Sequence, residues 1–172
     1  TRDTTSQANT ANTTNTGSTW KENTRSEDHT SSVTLPLQFI STASGQRLAV
    51  LVSVTADASG NPVPGTFPVI LTQTAYRIDT GQLLGSVFQS GNTLLVGGVD
   101  KFMNKRGYIS VAVDVVGSGM SSGEAQLLGA AEQQGHADAV DWVTKQPWCN
   151  GQLGLAGTSY LGITALQTAK QQ

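Results

Sequence analysis

A single cysteine, Cys149, stands in the 172 residues, so no disulfide can form within the chain and no zinc cluster can be built on thiolates. Charge is scarce as well. Ten Lys and Arg against twelve Asp and Glu make 13% of the residues and a net charge of −2. Such a chain lacks the clustered basic face that a nucleic-acid partner would require. Long apolar runs are missing too. The longest, Leu48 to Val54, falls far short of the roughly 18 residues of a membrane helix, so no membrane span is expected. There is no initiator Met; the chain opens Thr1-Arg2-Asp3, with polarity carried mainly by Thr, Ser, Asn and Gln. That opening fits a secreted or periplasmic protein whose signal peptide has been removed. What remains is enough chain for one ordinary domain with a real core.

Residues 1–32 differ in composition from the rest. The run Thr10-Ala11-Asn12-Thr13-Thr14-Asn15-Thr16 has no periodicity and almost nothing to bury, so a flexible or loosely docked arm is expected there. Residues 33–172 read as one domain. Val33 to Ile40 alternates as a strand, with Pro36 assigning it to an edge. It pairs as a hairpin with Arg47 to Thr55 across the Ser44-Gly45-Gln46 turn. Phe67 to Thr72 is a compact apolar run suited to a buried strand. After a long irregular passage, Lys101 to Arg106 predicts a short helix stopped by Gly107. Tyr108 to Asp114 is a further buried strand. Glu124 to Lys145 follows as a helix with an apolar stripe of Leu127, Leu128, Ala131, Ala139, Val140 and Val143. Pro147 and the Asn150-Gly151 turn end it. Leu153 to Ala156 is a last short strand, and Tyr160 to Lys170 a helix. Strands alternating with helices after an antiparallel start predict an α/β sheet, parallel in its centre.

The last strand runs into Gly157-Thr158-Ser159-Tyr160-Leu161-Gly162, and a helix starts at once. A strand, a tight turn with serine at its apex and a helix make the nucleophile elbow. The turn is strained, so its flanks must be small for strand and helix to approach. The serine hydroxyl then stands clear of the sheet. The N–H of Tyr160, at the helix N-terminus, faces the oxygen that becomes negative during acyl transfer. The usual pattern puts Gly two residues after the serine, where this chain has Leu161. Locally, a plain βα turn with a serine N-cap is an equal alternative.

The longer string Gln146-Pro147-Trp148-Cys149-Asn150-Gly151-Gln152-Leu153-Gly154-Leu155-Ala156-Gly157-Thr158-Ser159-Tyr160-Leu161-Gly162-Ile163-Thr164 resembles the serine hydrolases that include bacterial cocaine esterase, the X-prolyl dipeptidyl peptidases and the α-amino-acid ester hydrolases. Their elbow places Gly three residues after the serine, and Trp-Cys-Asn-Gly before the strand is typical. So is Asp114 followed by the Gly-rich loop to Gly123, although Val116 stands where the family more often has Arg. Pro68 to Tyr76 is a third match. The resemblance runs from about Val33 to Lys170, leaving out much of residues 77–100. It implies the N-terminal half of an α/β-hydrolase fold, incomplete without further chain, with no cofactor and no metal. It implies Ser159 as nucleophile, the Tyr160 N–H as one oxyanion donor and the Tyr76 hydroxyl as the other. An ester is the first substrate expected and an X-prolyl peptide the second.

In α/β-hydrolases Asp or Glu and then His follow the serine along the chain. After Ser159 there is no Asp, Glu or His. His29 sits in the polar arm beside Glu27 and Asp28, and His136 lies mid-helix, so neither is placed to meet Ser159. Glu132, Asp138 and Asp141 read as a solvated helix face. A second polypeptide segment supplying Asp and His is therefore the expected partner, as a separate cleaved chain or as further sequence. Two rivals from other classes stand beside the enzyme. One is a dinucleotide-binding module on the Asp114–Gly123 loop, whose glycines miss the strict spacing. The other is a non-catalytic binding protein that keeps the hydrolase fold.

Overall fold

The computed structural model describes residues 25–79 and 98–171. The Thr10–Thr16 run and most of the irregular passage before Lys101 lie outside the described residues. Six strands form one mixed sheet. β1 (Ser31–Thr34) and β2 (Gln38–Ser41) both pair antiparallel with β3 (Arg47–Ala56). β3 pairs antiparallel with β5 (Ile109–Asp114), which runs parallel to β4 (Phe67–Thr74), itself parallel to β6 (Cys149–Leu155). The order β1-β3-β5-β4-β6 is an antiparallel start followed by a parallel centre, as the alternation of elements implies.

Three helices complete the described chain: α1 (Lys101–Lys105), α2 (Ala130–Thr144) and α3 (Tyr160–Lys170). Alternation along β5 divides the core. Ile109, Val111 and Val113 pack with Val50, Val52, Val69 and Leu71 under Ala139, Val140 and Val143 of α2. Ala112 turns the other way, toward Ala49, Leu51, Ile78 and Val99. α1 lies on that second side, where Ser110 Oγ accepts from Asp100 N–H at 2.8 Å and the Asn104 side-chain amide donates to the Ser53 carbonyl at 2.8 Å. Gly107, with φ 76, ends α1 in the left-handed region as expected. No described helix is long and apolar enough to cross a membrane.

Three boundaries differ from the sequence reading. The single strand expected over 33–40 is two strands, because Pro36 has no N–H to give to β3; β1 also takes in Ser31 and Ser32. The helix expected from Glu124 begins only at Ala130. Leu128 adopts φ 59 and Gly129 is extended at the N-cap, so the chain turns sharply just before α2. Leu127 consequently lies 77% exposed, outside the apolar stripe assigned to it. The Asn150-Gly151 turn is instead an irregularity within β6. Phe67 and Val69 of β4 pair with Cys149 and Leu153, so three residues of β6 face one of β4, and Gly151 takes φ 86 there.

Candidate active site

The parallel strands deliver three loops to one end of the sheet. β4 ends beside Tyr76, β5 ends at Asp114 and its Gly-rich loop, and β6 leads to Ser159. In open α/β sheets ligands bind outside the carboxyl ends of the strands, where these loops gather.

Ser159 is exposed and holds φ 58, ψ −127 at the junction of β6 with α3. An L-residue reaches that region only under strain that the surrounding structure must impose. A plain serine N-cap would be extended, with its hydroxyl bonded to the first turn; here the side chain makes no such bond. Local geometry thus separates the two readings left open by the sequence. Gly157 explains how the turn closes. A Cβ there would overlap the backbone and Cβ of Leu161, whereas the Leu161 side chain is fully buried. The small residue is needed before the serine, and a large one is accommodated two places after it. A Cβ at Gly162 would meet the Gly157 carbonyl oxygen at 3.3 Å, a tight but lesser contact.

Tyr160 opens α3, so its N–H has no helical carbonyl one turn behind it. Its ring meets that of Tyr76 edge-on, with centroids 6.2 Å apart and planes at 61°. Tyr76 is 46% exposed, and the chain beyond it is held by Asp114, whose Oδ1 accepts from Ile78 N–H at 2.8 Å. The second oxygen of Asp114 accepts from Met120 N–H at 3.1 Å. Burial raises the Asp114 pKa, against the lowering effect of these N–H donors. A Cβ on Gly119 would overlap this carboxylate, which explains the glycine at φ 52. The Gly-rich loop is thus closed around an acid of its own chain, where a dinucleotide module would need room and donors for pyrophosphate.

Glu132 corrects the sequence reading. Expected on a solvated face, it is 3% exposed. Its Oε1 accepts from the Tyr160 hydroxyl and its Oε2 from Leu128 N–H at 3.1 Å. The signal was present in the spacing. Glu132, His136, Ala139, Val140 and Val143 fall at i, i+4, i+7, i+8 and i+11, one stripe of the helix. Asp138 is half-buried and accepts from Ala43 N–H at 2.9 Å, while Asp141 is exposed and pairs with Lys145 at 3.5 Å.

Neither histidine has been brought to the serine. His136 is 2% exposed, with Nε2 lying 3.4 Å from Glu132 Oε1 but making no hydrogen bond, and burial pushes its pKa down to about 4. His29 donates its N–H to the Lys105 carbonyl at 3.0 Å, and its ring meets Phe67 edge-on at 5.8 Å. Phe67 begins β4 and pairs with Cys149, the first residue of β6. His29 therefore lies at the opposite end of the strands from Ser159, roughly 20 Å away at strand rise. Among the described residues no cluster of His, Cys, Asp and Glu could hold a metal ion.

Comparison with known proteins agrees with this geometry. Residues 44–172 match the X-Pro dipeptidyl-peptidase (S15) family. A Mycobacterium bovis protein named as a serine esterase is 33% identical over 138 residues, covering 74% of this chain and 21% of its own length. Cocaine esterase of Rhodococcus sp. is 31% identical over 126 residues, covering 73% and 19%. The chain thus spans about a fifth of the length of these relatives. A CocE/NonD family hydrolase from Staphylococcus aureus superposes with a TM-score of 0.66 at 20% identity, over 82% of this chain and 26% of that one. An α-amino-acid ester hydrolase gives 0.59 at 22% identity, over 84% and 24%. The sheet order, the strained serine and these matches agree: the chain belongs to the X-Pro dipeptidyl-peptidase (S15) family and carries part of its α/β-hydrolase fold.

Proposed function

We propose that the protein is a serine hydrolase that cleaves carboxylic esters through an acyl-enzyme on Ser159. The observation that carries this is the conformation of Ser159, exposed and strained at a strand-to-helix turn. A strained nucleophile on a rigid scaffold is expensive unless it is used. In this reading Ser159 Oγ bonds to the substrate carbonyl carbon as its proton passes to a histidine. The tetrahedral oxyanion is held by the Tyr160 N–H and the Tyr76 hydroxyl. The alcohol then leaves with that proton, and water repeats the sequence to free the acid. The histidine and its Asp come from a segment outside these 172 residues. Support for this is that neither His29 nor His136 stands at Ser159, and that the chain spans a fifth of its relatives.

The ester preference draws on relatives named as esterases at 31–33% identity. The family description favours a second reading, cleavage after an X-Pro dipeptide by the same acyl-enzyme. Full-length protein should be labelled by a fluorophosphonate at Ser159 and lose both labelling and turnover as Ser159→Ala. Comparing kcat/KM for an aryl ester with that for an X-Pro arylamide decides between the substrates. No labelling of folded protein would instead identify a binding protein that has kept the fold.

A further inference from the structure

Glu132 is joined to both residues proposed as oxyanion donors, through one ring. Its Oε1 accepts from the Tyr160 hydroxyl. The Tyr160 ring in turn lies edge-on to Tyr76, 6.2 Å between centroids. The other carboxylate oxygen holds Leu128 N–H at 3.1 Å, at the turn where Leu128 takes φ 59. Glu132 is thereby anchored at the start of α2, and Tyr160 is tied to α2 as well as to its own helix.

Ion pairing with a basic side chain does not account for a carboxylate in this place. Glu132 is 3% exposed, and among the described residues no Lys or Arg pairs with it. The nearest basic group is His136, which burial keeps neutral down to about pH 4. Burying an acid is unfavourable unless hydrogen bonds satisfy it, and the donors that do so here are the Tyr160 hydroxyl and Leu128 N–H. The phenol it binds is held as a donor, since burial and the carboxylate both raise the Tyr160 pKa. What the arrangement does supply is orientation. The phenol can swing about its ring bonds unless its end is fixed, and this ring is the one Tyr76 packs against, with planes at 61°.

We propose that Glu132 is a positioning residue of the active site, clamping the Tyr160 ring so that it sets the place of the Tyr76 hydroxyl beside the Tyr160 N–H. The inference rests on the oxyanion roles proposed above. It assigns Glu132 no contact with substrate and no proton transfer.

The test is a double-mutant cycle in the full-length protein. Tyr160→Phe removes the clamped hydroxyl and keeps both ring and backbone N–H. It should lower kcat about tenfold or more, the scale of a small misplacement of a catalytic group, with KM changed less than about threefold. If the hydroxyl acts by placing Tyr76, then Tyr76→Phe must cost much less in the Tyr160→Phe background than alone. Glu132→Gln, which keeps an acceptor for the phenol and for Leu128 N–H, should retain more activity than Glu132→Leu, with both assayed well below their melting midpoints. Additive losses, or a Tyr160→Phe enzyme within about twofold of the parent kcat, overturn the proposal. If Tyr76→Phe alone changes nothing while Ser159→Ala is dead, the oxyanion assignment has failed and the clamp with it. If Ser159→Ala retains turnover, the hydrolase reading has failed, and these outcomes are distinct.

Discussion

Gly157 and Leu161 lie against each other so closely that a Cβ on Gly157 would overlap the Leu161 carbonyl group and Cβ. This contact closes the angle between β6 and α3 and so forces Ser159 into φ 58. Gly157→Ala should open the turn. The expected loss is about 1–3 kcal/mol of stability, the usual cost of overpacking a tight contact. Labelling of Ser159 by a fluorophosphonate should fall with it. Gly162→Ala, which meets only the Gly157 carbonyl at 3.3 Å, should lose less on both counts. Equal and negligible effects from the two would show that the elbow does not depend on this contact.

Tyr76 stands at the end of β4 with its ring against Tyr160. In the proposed role of second oxyanion donor, its hydroxyl would bond a charge that exists only in the transition state. Tyr76→Phe in the full-length enzyme should therefore lower kcat by about 10²–10³, the usual effect of one such donor, with little change in KM. Turnover within about threefold of the parent would remove Tyr76 from the mechanism.

His136 should make the protein sensitive to mild acid. Its pKa falls from 6.5 to about 4 on burial, so between those values the unfolded chain binds a proton that the folded chain does not. Stability from this group is complete above pH 6.5 and is lost as pH falls toward 4, at up to about 1.4 kcal/mol per pH unit. Asp100 and Asp114 act with the opposite sign. Burial raises both above 3.8, so the folded state holds their protons more tightly just above that pH. Thermal midpoints of full-length protein from pH 7.5 to 4.5 should fall more steeply for the parent than for His136→Leu. Parallel curves would show that His136 does not titrate in this window.

Most of the sheet was legible because its strands carry strong local signals. Ile109 to Asp114 is buried throughout and bounded by Gly107 and the Gly-rich loop, and α3 begins and ends where the string after Ser159 places it. The start of α2 was not legible. Leu127 and Leu128 continue the helical period, but the turn at Leu128 is fixed by Glu132 reaching back to its N–H, a contact that periodicity does not encode. Glu132 lies on the buried stripe despite its charge because the Tyr160 hydroxyl and Leu128 N–H satisfy it there, and neither contact shows in the local pattern. The Tyr76–Tyr160 contact joins β4 to α3 and could not be inferred from local pattern. Resemblance implies only that the Tyr76 hydroxyl and the Tyr160 N–H serve one site; the ring contact is a finding of the structure.

The polypeptide of residues 1–172, produced alone and shown to be folded, should not turn over an activated aryl ester above the level of its own Ser159→Ala variant. A serine hydroxyl is a weak nucleophile at neutral pH unless a base takes its proton in the transition state. His136 cannot be that base, being buried against Glu132 on α2 with its pKa near 4. His29 cannot either, since it packs on Phe67 at the far end of β4. The acids near the elbow are committed elsewhere. Glu132 holds Tyr160 and Leu128, and Asp114 holds Ile78 and Met120. With oxyanion donors alone, only a remnant of catalysis over water survives the loss of a triad. Adding, as a separate polypeptide, the segment proposed to carry the Asp and the His should restore Ser159-dependent turnover if the two parts can associate. Robust turnover by residues 1–172 alone, abolished by Ser159→Ala, would place a base within this chain and overturn the assignment of His29 and His136 as bystanders.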